Sequence, residues 1–224
     1  MTTPDKTKAH APANRTAFWV LVIALLAGVA LTGIAIMGSL SQALAPVTPT
    51  PQIEGITAIV PPDPLPDFTL TSSKGEPISL SDFAGRYVLL FFGYTHCPDF
   101  CPLTLAKEKL VHEQLGDMAD QFAVVFISVD GERDTPEVLD DYLSRFDPSF
   151  VGMTGDEATI REIGVPYGLS FTLNKASPDD VDYSVDHSTL TYLIDPERRL
   201  HSLLSFSTEA PVIVDYLRML ATAG

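Results

Sequence analysis

The chain has 224 residues, with 29 acidic against 14 basic side chains and a net charge of −15 at neutral pH. That balance argues against nucleic acid as a partner and against binding anionic lipid through a basic patch, since both need a cationic surface. Two cysteines are too few for a disulfide-dense scaffold, a four-cysteine iron–sulfur cluster or a four-cysteine zinc site within one chain.

Residues 1–17 form a short tail with Lys6, Lys8 and Arg15 against Asp5. Phe18 through Gly38 then carries no charge. As a helix rising 1.5 Å per residue it is about 30 Å long, the thickness of a bilayer core. No basic residue follows until Lys74, so the positive-inside rule places the tail in the cytoplasm and everything after the span outside. Ala43-Leu44-Ala45 resembles a signal-peptidase motif. The apolar run is longer than a signal core and Pro46 hinders cleavage, which favours a retained transmembrane anchor over residues 18–38. Seven prolines between Pro46 and Pro66 make residues 39–66 a semi-rigid tether. Within it, the apolar steps of residues 56–60 are able to pack on a neighbouring domain.

Residues 67–224 have the length of one domain. Phe68-Thr69-Leu70 and Ile78-Ser79-Leu80 flank Lys74-Gly75, a hairpin signal. Tyr87–Phe92 and Phe122–Val129 are continuous apolar runs of the kind that form strands buried on both faces. Pro102–Leu115 shows helical spacing through Leu103, Leu110 and Leu115. Thr135 is an N-cap and Pro136 a first helical residue, predicting a helix to Phe146. A short helix is expected near Glu157–Ile163, a hairpin of Thr189–Ile194 with Leu200–Phe206, and a closing helix over Pro211–Leu220. This alternation predicts a three-layer α/β fold with an N-terminal β-hairpin, preceded by one transmembrane helix.

Cys97 and Cys101 lie between the first buried strand and the helix after it. Residues i and i+4 share one face of a helix, about 5–6 Å apart at Cβ, so both sulfurs can reach one ion or each other. As an inert staple the pair closes a loop too short to stabilise much; redox activity or metal binding remains. A metal needs a further ligand, and the histidines are His10, His96, His112, His187 and His201. His10 is on the far side of the anchor, His96 adjoins Cys97 too closely to share its ion, His112 reads as a surface position and His201 as a half-buried strand residue. His187, in Asp186-His187-Ser188, enters the strand at Thr189 from a polar loop. Asp179, Asp180, Asp182 and Asp186 make that loop acidic. It reads as a solvated segment, or alternatively as carboxylates that orient His187, attract a cation or dock a partner.

Three blocks then resemble the SCO/SenC family of membrane-anchored, thioredoxin-like proteins that deliver copper to cytochrome c oxidase. They are Gly93-Tyr94-Thr95-His96-Cys97-Pro98-Asp99-Phe100-Cys101-Pro102, Ser128-Val129-Asp130 with Arg133-Asp134-Thr135-Pro136-Glu137, and Val185-Asp186-His187-Ser188 with Tyr192-Leu193-Ile194-Asp195. Gly131 stands where many relatives have proline. The resemblance implies a thioredoxin-like three-layer sandwich and a copper site of Cys97, Cys101 and His187. Two thiolates and an imidazole suit Cu(I), and the same set can hold Cu(II). It implies a metallochaperone for the binuclear copper centre of the oxidase, with the oxidase's copper-binding subunit and other periplasmic copper chaperones as partners. The alternative is a thiol–disulfide oxidoreductase in which Cys97 and Cys101 reduce the subunit's copper-binding cysteines. The Cys-x-x-x-Cys spacing separates the chain from general thioredoxins. The expected location is a bacterial plasma membrane, domain outward, because the tail lacks the Arg/Ser-rich character of a transit peptide; an inner mitochondrial membrane is the other possibility.

Overall fold

A computed structural model of the chain describes residues 53–223 and, ahead of them, Trp19, residues 23–26 and Gly28, which are helical. Among the described residues no helix is long and apolar enough to cross a membrane; most of the span expected at 18–38 lies outside them.

Ten strands and four α-helices occupy residues 53–223. The strands are β1 (Ile56–Pro64), β2 (Thr69–Ser72), β3 (Pro77–Ser79), β4 (Tyr87–Gly93), β5 (Phe122–Ser128), β6 (Val151–Thr154), β7 (Phe171–Leu173), β8 (Val185–His187), β9 (Thr191–Ile194) and β10 (Arg199–Leu204). The helices are α1 (Phe100–Leu115), α2 (Pro136–Ser144), α3 (Glu157–Gly164) and α4 (Ala210–Ala223). Eight strands form one sheet in the order β1-β10-β9-β4-β5-β6-β2-β3, and β7 with β8 forms a separate ribbon. β4, β5 and β6 run parallel, and β9 lies antiparallel on the other side of β4.

The central strands are apolar throughout because both faces are covered. Val88, Leu90 and Phe92 of β4 point into a core shared with Ile160 of α3, Phe171 of β7 and Val185 of β8. Leu89 and Phe91 point the other way, among Leu105 of α1, Leu139 of α2 and Ile213 of α4. One layer is therefore helical, and the opposite layer combines α3 with the β7–β8 ribbon. The C-terminal ends of β4 and β5 open between the layers, where parallel α/β sheets carry their sites.

Local chemistry explains the boundaries. Gly75, with φ +84°, allows the turn that joins β2 to β3. Thr135 caps α2 by accepting the Val138 N–H at 3.4 Å, and Asp156 caps α3 through Thr159 N–H at 2.9 Å. A Cβ on Gly131 would lie 1.9 Å from the Gly155 carbonyl oxygen, so the β5–α2 loop has no room there for a side chain.

Three expectations change. The fold begins ahead of Asp67: residues 56–64, assigned to the tether, are the edge strand β1, paired with β10 from Ile56↔Leu204 to Pro64↔Arg199. α1 begins at Phe100, two residues before Pro102. Its buried face is Cys101, Thr104, Leu105, Glu108, Val111 and Leu115, whereas Leu103 and Leu110 are exposed.

Glu108 is the costly member of that face. It is fully buried, its Oε1 accepts a hydrogen bond from Thr191 Oγ1 at 3.3 Å, and its Oε2 has no partner. Burial, against the partial relief of Lys107 and Thr191, pushes its carboxyl up to about 7. An unfolded glutamate ionises near 4.3. As pH rises from about 4.3 the unfolded chain therefore loses this proton first, and the native state loses stability until Glu108 itself ionises near 7. The loss is on the order of 3 kcal/mol. In Glu108→Gln that component is absent, so the variant should gain on the parent progressively from pH 4.5 to 7 in paired denaturant titrations. A pH-independent difference would contradict this.

Candidate metal centre

The turn after β4 sets the geometry. Gly93 ends the strand, and a Cβ there would sit 2.7 Å from Cys101 Sγ and 2.7 Å from the Phe126 ring. The glycine therefore leaves the space that the second thiol fills. Tyr94-Thr95-His96 then carries the chain to Cys97, whose N–H donates to the Tyr94 carbonyl at 3.3 Å. Asp99 precedes α1 without a side-chain capping bond. Cys97 Sγ takes part of that role, accepting the Cys101 N–H at 3.5 Å at the positive end of the helix.

Both cysteines are free thiols, Cys97 half-buried and Cys101 buried. Their environments separate them. Hydrogen bonding from Cys101, through its thiol and its helix amide, brings Cys97 down to about 4, against its partial burial. The same hydrogen bond and deeper burial push Cys101 strongly up. Cys97 is thus the thiolate and Cys101 holds the shared proton.

His187 comes from the opposite layer. It is the last residue of β8, paired with Phe171, rather than part of a loop. Its Nδ1 lies 2.7 Å from the Ser188 carbonyl, which accepts only if Nδ1 carries the hydrogen. Nε2 is left with its lone pair, 3.6 Å from Cys101 Sγ. The Tyr94 ring meets the imidazole edge-on at a centroid distance of 5.7 Å. Asp186 does not orient the ring, because its carboxylate accepts from Asn174 Nδ2 at 3.1 Å.

Cys97, Cys101 and His187 offer ligand atoms all within 4.8 Å of one another. Metal–thiolate bonds of about 2.3 Å place the sulfurs of a trigonal site roughly 4 Å apart, so small rotations would close the three donors on one ion. The remaining described histidines lie elsewhere. His96 is exposed beside Thr95 Oγ1 at 3.0 Å, His112 faces Asp147 at 3.5 Å, and His201 meets Ser202 Oγ at 2.8 Å. His10 lies outside the described residues.

Buried charges fix the loops. Asp134 accepts from Thr95 N–H at 2.9 Å, Thr95 Oγ1–H at 2.6 Å and Ser128 Oγ–H at 2.6 Å. Burial pushes its carboxyl up despite those bonds. Asp130 takes Arg133 Nε–H at 2.5 Å and Tyr183 O–H at 2.6 Å, while Arg133 Nη1 donates to the Tyr183 carbonyl at 2.9 Å. The Arg133 guanidinium stacks 3.5 Å from the Tyr183 ring centre. Asp130, Arg133 and Asp134 fall in the second block of the resemblance, which by itself assigns them no such role. Their signal is a charged cluster between a buried strand and an N-cap; Tyr183 carries no such signal.

A family model described as SCO1/SenC matches residues 59–222. A SCO2-like protein of Rickettsia felis is 34% identical over 152 residues, 68% of this chain and 74% of the relative. The human mitochondrial SCO1 homolog is 36% identical over 132 residues, 58% of this chain and 44% of the relative. Copper-bound ScoI of Bradyrhizobium japonicum superposes with a TM-score of 0.63 at 36% identity, over 70% of this chain and 98% of that one. Apo Sco1 of Thermus thermophilus gives 0.66 at 38% identity, over 73% and 95%. The fold is α/β and thioredoxin-like.

The thiol asymmetry predicts a reactivity pattern. In the reduced chain, iodoacetamide should modify Cys97 alone, at a rate already level between pH 6 and 8. Cys101→Ala removes the main donor to Cys97 and should move the midpoint toward the ordinary thiol value, near 8.5. Mass spectrometry of the alkylated peptides is the readout, and a parent rate that climbs steadily to pH 8.5 would contradict the assignment.

Proposed function

The chain belongs to the SCO1/SenC family, and on that premise we propose that it binds copper through Cys97, Cys101 and His187 and delivers it to the copper-binding subunit of cytochrome c oxidase. The observation that carries the proposal is the convergence of two sulfurs and an imidazole Nε2 within 4.8 Å. Soft thiolates select Cu(I), and three ligands satisfy it. The family match and the copper-bound ScoI neighbour support the choice of metal.

Copper is the cargo, so the site must release as well as bind. Cys97 is half-buried and already ionised, which lets it take the metal first and makes it the sulfur most open to an incoming ligand. Cys101 is buried and gives up its proton only when the metal replaces it. His187, fixed through Ser188, supplies a neutral donor. Three protein ligands leave one side open to a thiol of the acceptor, so exchange proceeds without a free ion.

The same thiols support a second reading, reduction of the acceptor's cysteines. A low-pKa, accessible Cys97 backed by Cys101 is the arrangement that attacks a disulfide. Cys97 would form the mixed disulfide, and Cys101 would displace the acceptor's thiolate, leaving a Cys97–Cys101 bond. Since that bond removes two of the three copper ligands, the two activities exclude each other in one molecule at one time.

The uncharged span at residues 18–38 supports a single-pass anchor with the domain outside a bacterial plasma membrane. Tethering would supply the effective concentration that brings the domain to a membrane-bound acceptor.

Mixing the copper-loaded chain with the apo copper-binding domain of an oxidase subunit separates the readings. Delivery predicts copper moving with no change in thiol count on either side. Loss of two thiols here with gain of two there, and no copper moved, would establish the reductase instead. The oxidised chain should keep its circular dichroism spectrum and bind no Cu(I).

A further inference from the structure

We propose that an exposed apolar stripe on α1 seats the copper acceptor, and that the acceptor carries a matching apolar surface with a basic rim. The inference rests on the copper-delivery reading and specifies the partner for that site. Phe100, Leu103 and Leu110 are 47%, 58% and 43% exposed. At 100° per residue they share one side of α1, away from the face that packs on the sheet. Lys107 falls between them, but its ammonium is drawn aside to the Phe206 carbonyl at 2.7 Å. Its aliphatic stem then adds to the apolar surface. The Phe206 ring packs edge-on against Phe100 at 4.9 Å and so extends the stripe.

Position ties this surface to the metal. Phe100 lies between the two thiols, and Leu103 is one turn further on. Cys101 is buried, so an incoming ligand must approach from the side of half-buried Cys97. A protein that reaches Cys97 over the start of α1 would meet Phe100 first and Leu103 one turn on.

Charge identifies the occupant. From Glu54 onward the chain has 28 acidic and 11 basic residues, a balance of −17. Two copies would repel one another, whereas a basic surface is attracted. Asp99 adjoins the stripe, and exposed Asp179 and Asp182, with half-buried Asp180 between them, stand in the segment that leads to His187. An acceptor covering the metal meets apolar side chains on the cysteine side and carboxylates on the histidine side. The apolar part gives affinity; the charges give encounter rate and salt dependence.

The test uses the full chain, copper-loaded, and the purified apo copper-binding domain of an oxidase subunit. Leu103→Ser with Leu110→Ser should keep one copper per chain yet weaken binding at least ten-fold. Leu103→Met with Leu110→Met should bind like the parent, as should Val138→Ser on α2. If the double serine variant loses copper, the single variants Leu103→Thr and Leu110→Thr carry the test. Parent binding should weaken as salt rises, and Asp179→Asn, Asp180→Asn and Asp182→Asn together should flatten that dependence. Undiminished binding by the serine variant would overturn the proposal. So would salt-independent binding, or a copper-loaded dimer that the serine substitutions abolish. Binding through the stripe without copper movement would defeat the delivery reading and leave the surface standing. Copper moving at the parent rate in the serine variant would do the reverse.

Discussion

The buried carboxylate of Asp134 is the constraint on which the site depends. It receives three hydrogen bonds, two from Thr95 and one from Ser128, and so joins the turn after β4 to the end of β5. A carboxylate left buried without them would cost several kcal/mol. The loop is therefore held where the donors converge, and Cys97 lies two residues beyond Thr95. The Asp130–Arg133–Tyr183 cluster does the same for the segment that ends at His187. Ligands from two layers of the fold are brought together by buried ion pairs and hydrogen bonds of the protein itself.

The second consequence is asymmetry between the thiols. Gly93 opens the space for Cys101 Sγ inside the helical layer, while Cys97 is only half-buried and takes its hydrogen bond from the start of α1. One sulfur is accessible and ionised, the other enclosed and protonated. Storage would enclose both; the delivery proposed here would need a metal held on one exposed and one enclosed sulfur, open to exchange. The same asymmetry suits disulfide chemistry, and on the proposed site copper and oxidation would compete for the same two atoms.

Much of this was legible in the sequence, for identifiable reasons. β4 and β5 are long apolar runs, α2 begins at the Thr135 cap, and the hairpin of Thr189–Ile194 with Leu200–Phe206 brackets a turn-rich segment. These signals are local. The missing elements depend on distant partners. β6 has four residues and exists because β5 and β2 flank it. β1 is proline-rich and reads as linker until β10 pairs with it. His187 belongs to a three-residue strand defined by Phe171. α1 misled in a more instructive way. Leu103 and Leu110 have core-like spacing, yet the sheet takes the face containing Cys101, Leu105 and Glu108. Periodicity shows that a helix has an apolar side and does not say what covers it. A fully buried glutamate such as Glu108 has no signature in sequence at all.

X-ray absorption at the copper edge of the reduced, Cu(I)-loaded chain tests the central claim most directly. Two sulfur scatterers and one nitrogen are predicted. Cys97→Ser and Cys101→Ser should each lose one sulfur, and His187→Ala should lose the nitrogen while keeping both sulfurs. Sulfur scattering unchanged in both cysteine variants, or nitrogen scattering unchanged in His187→Ala, would contradict the site.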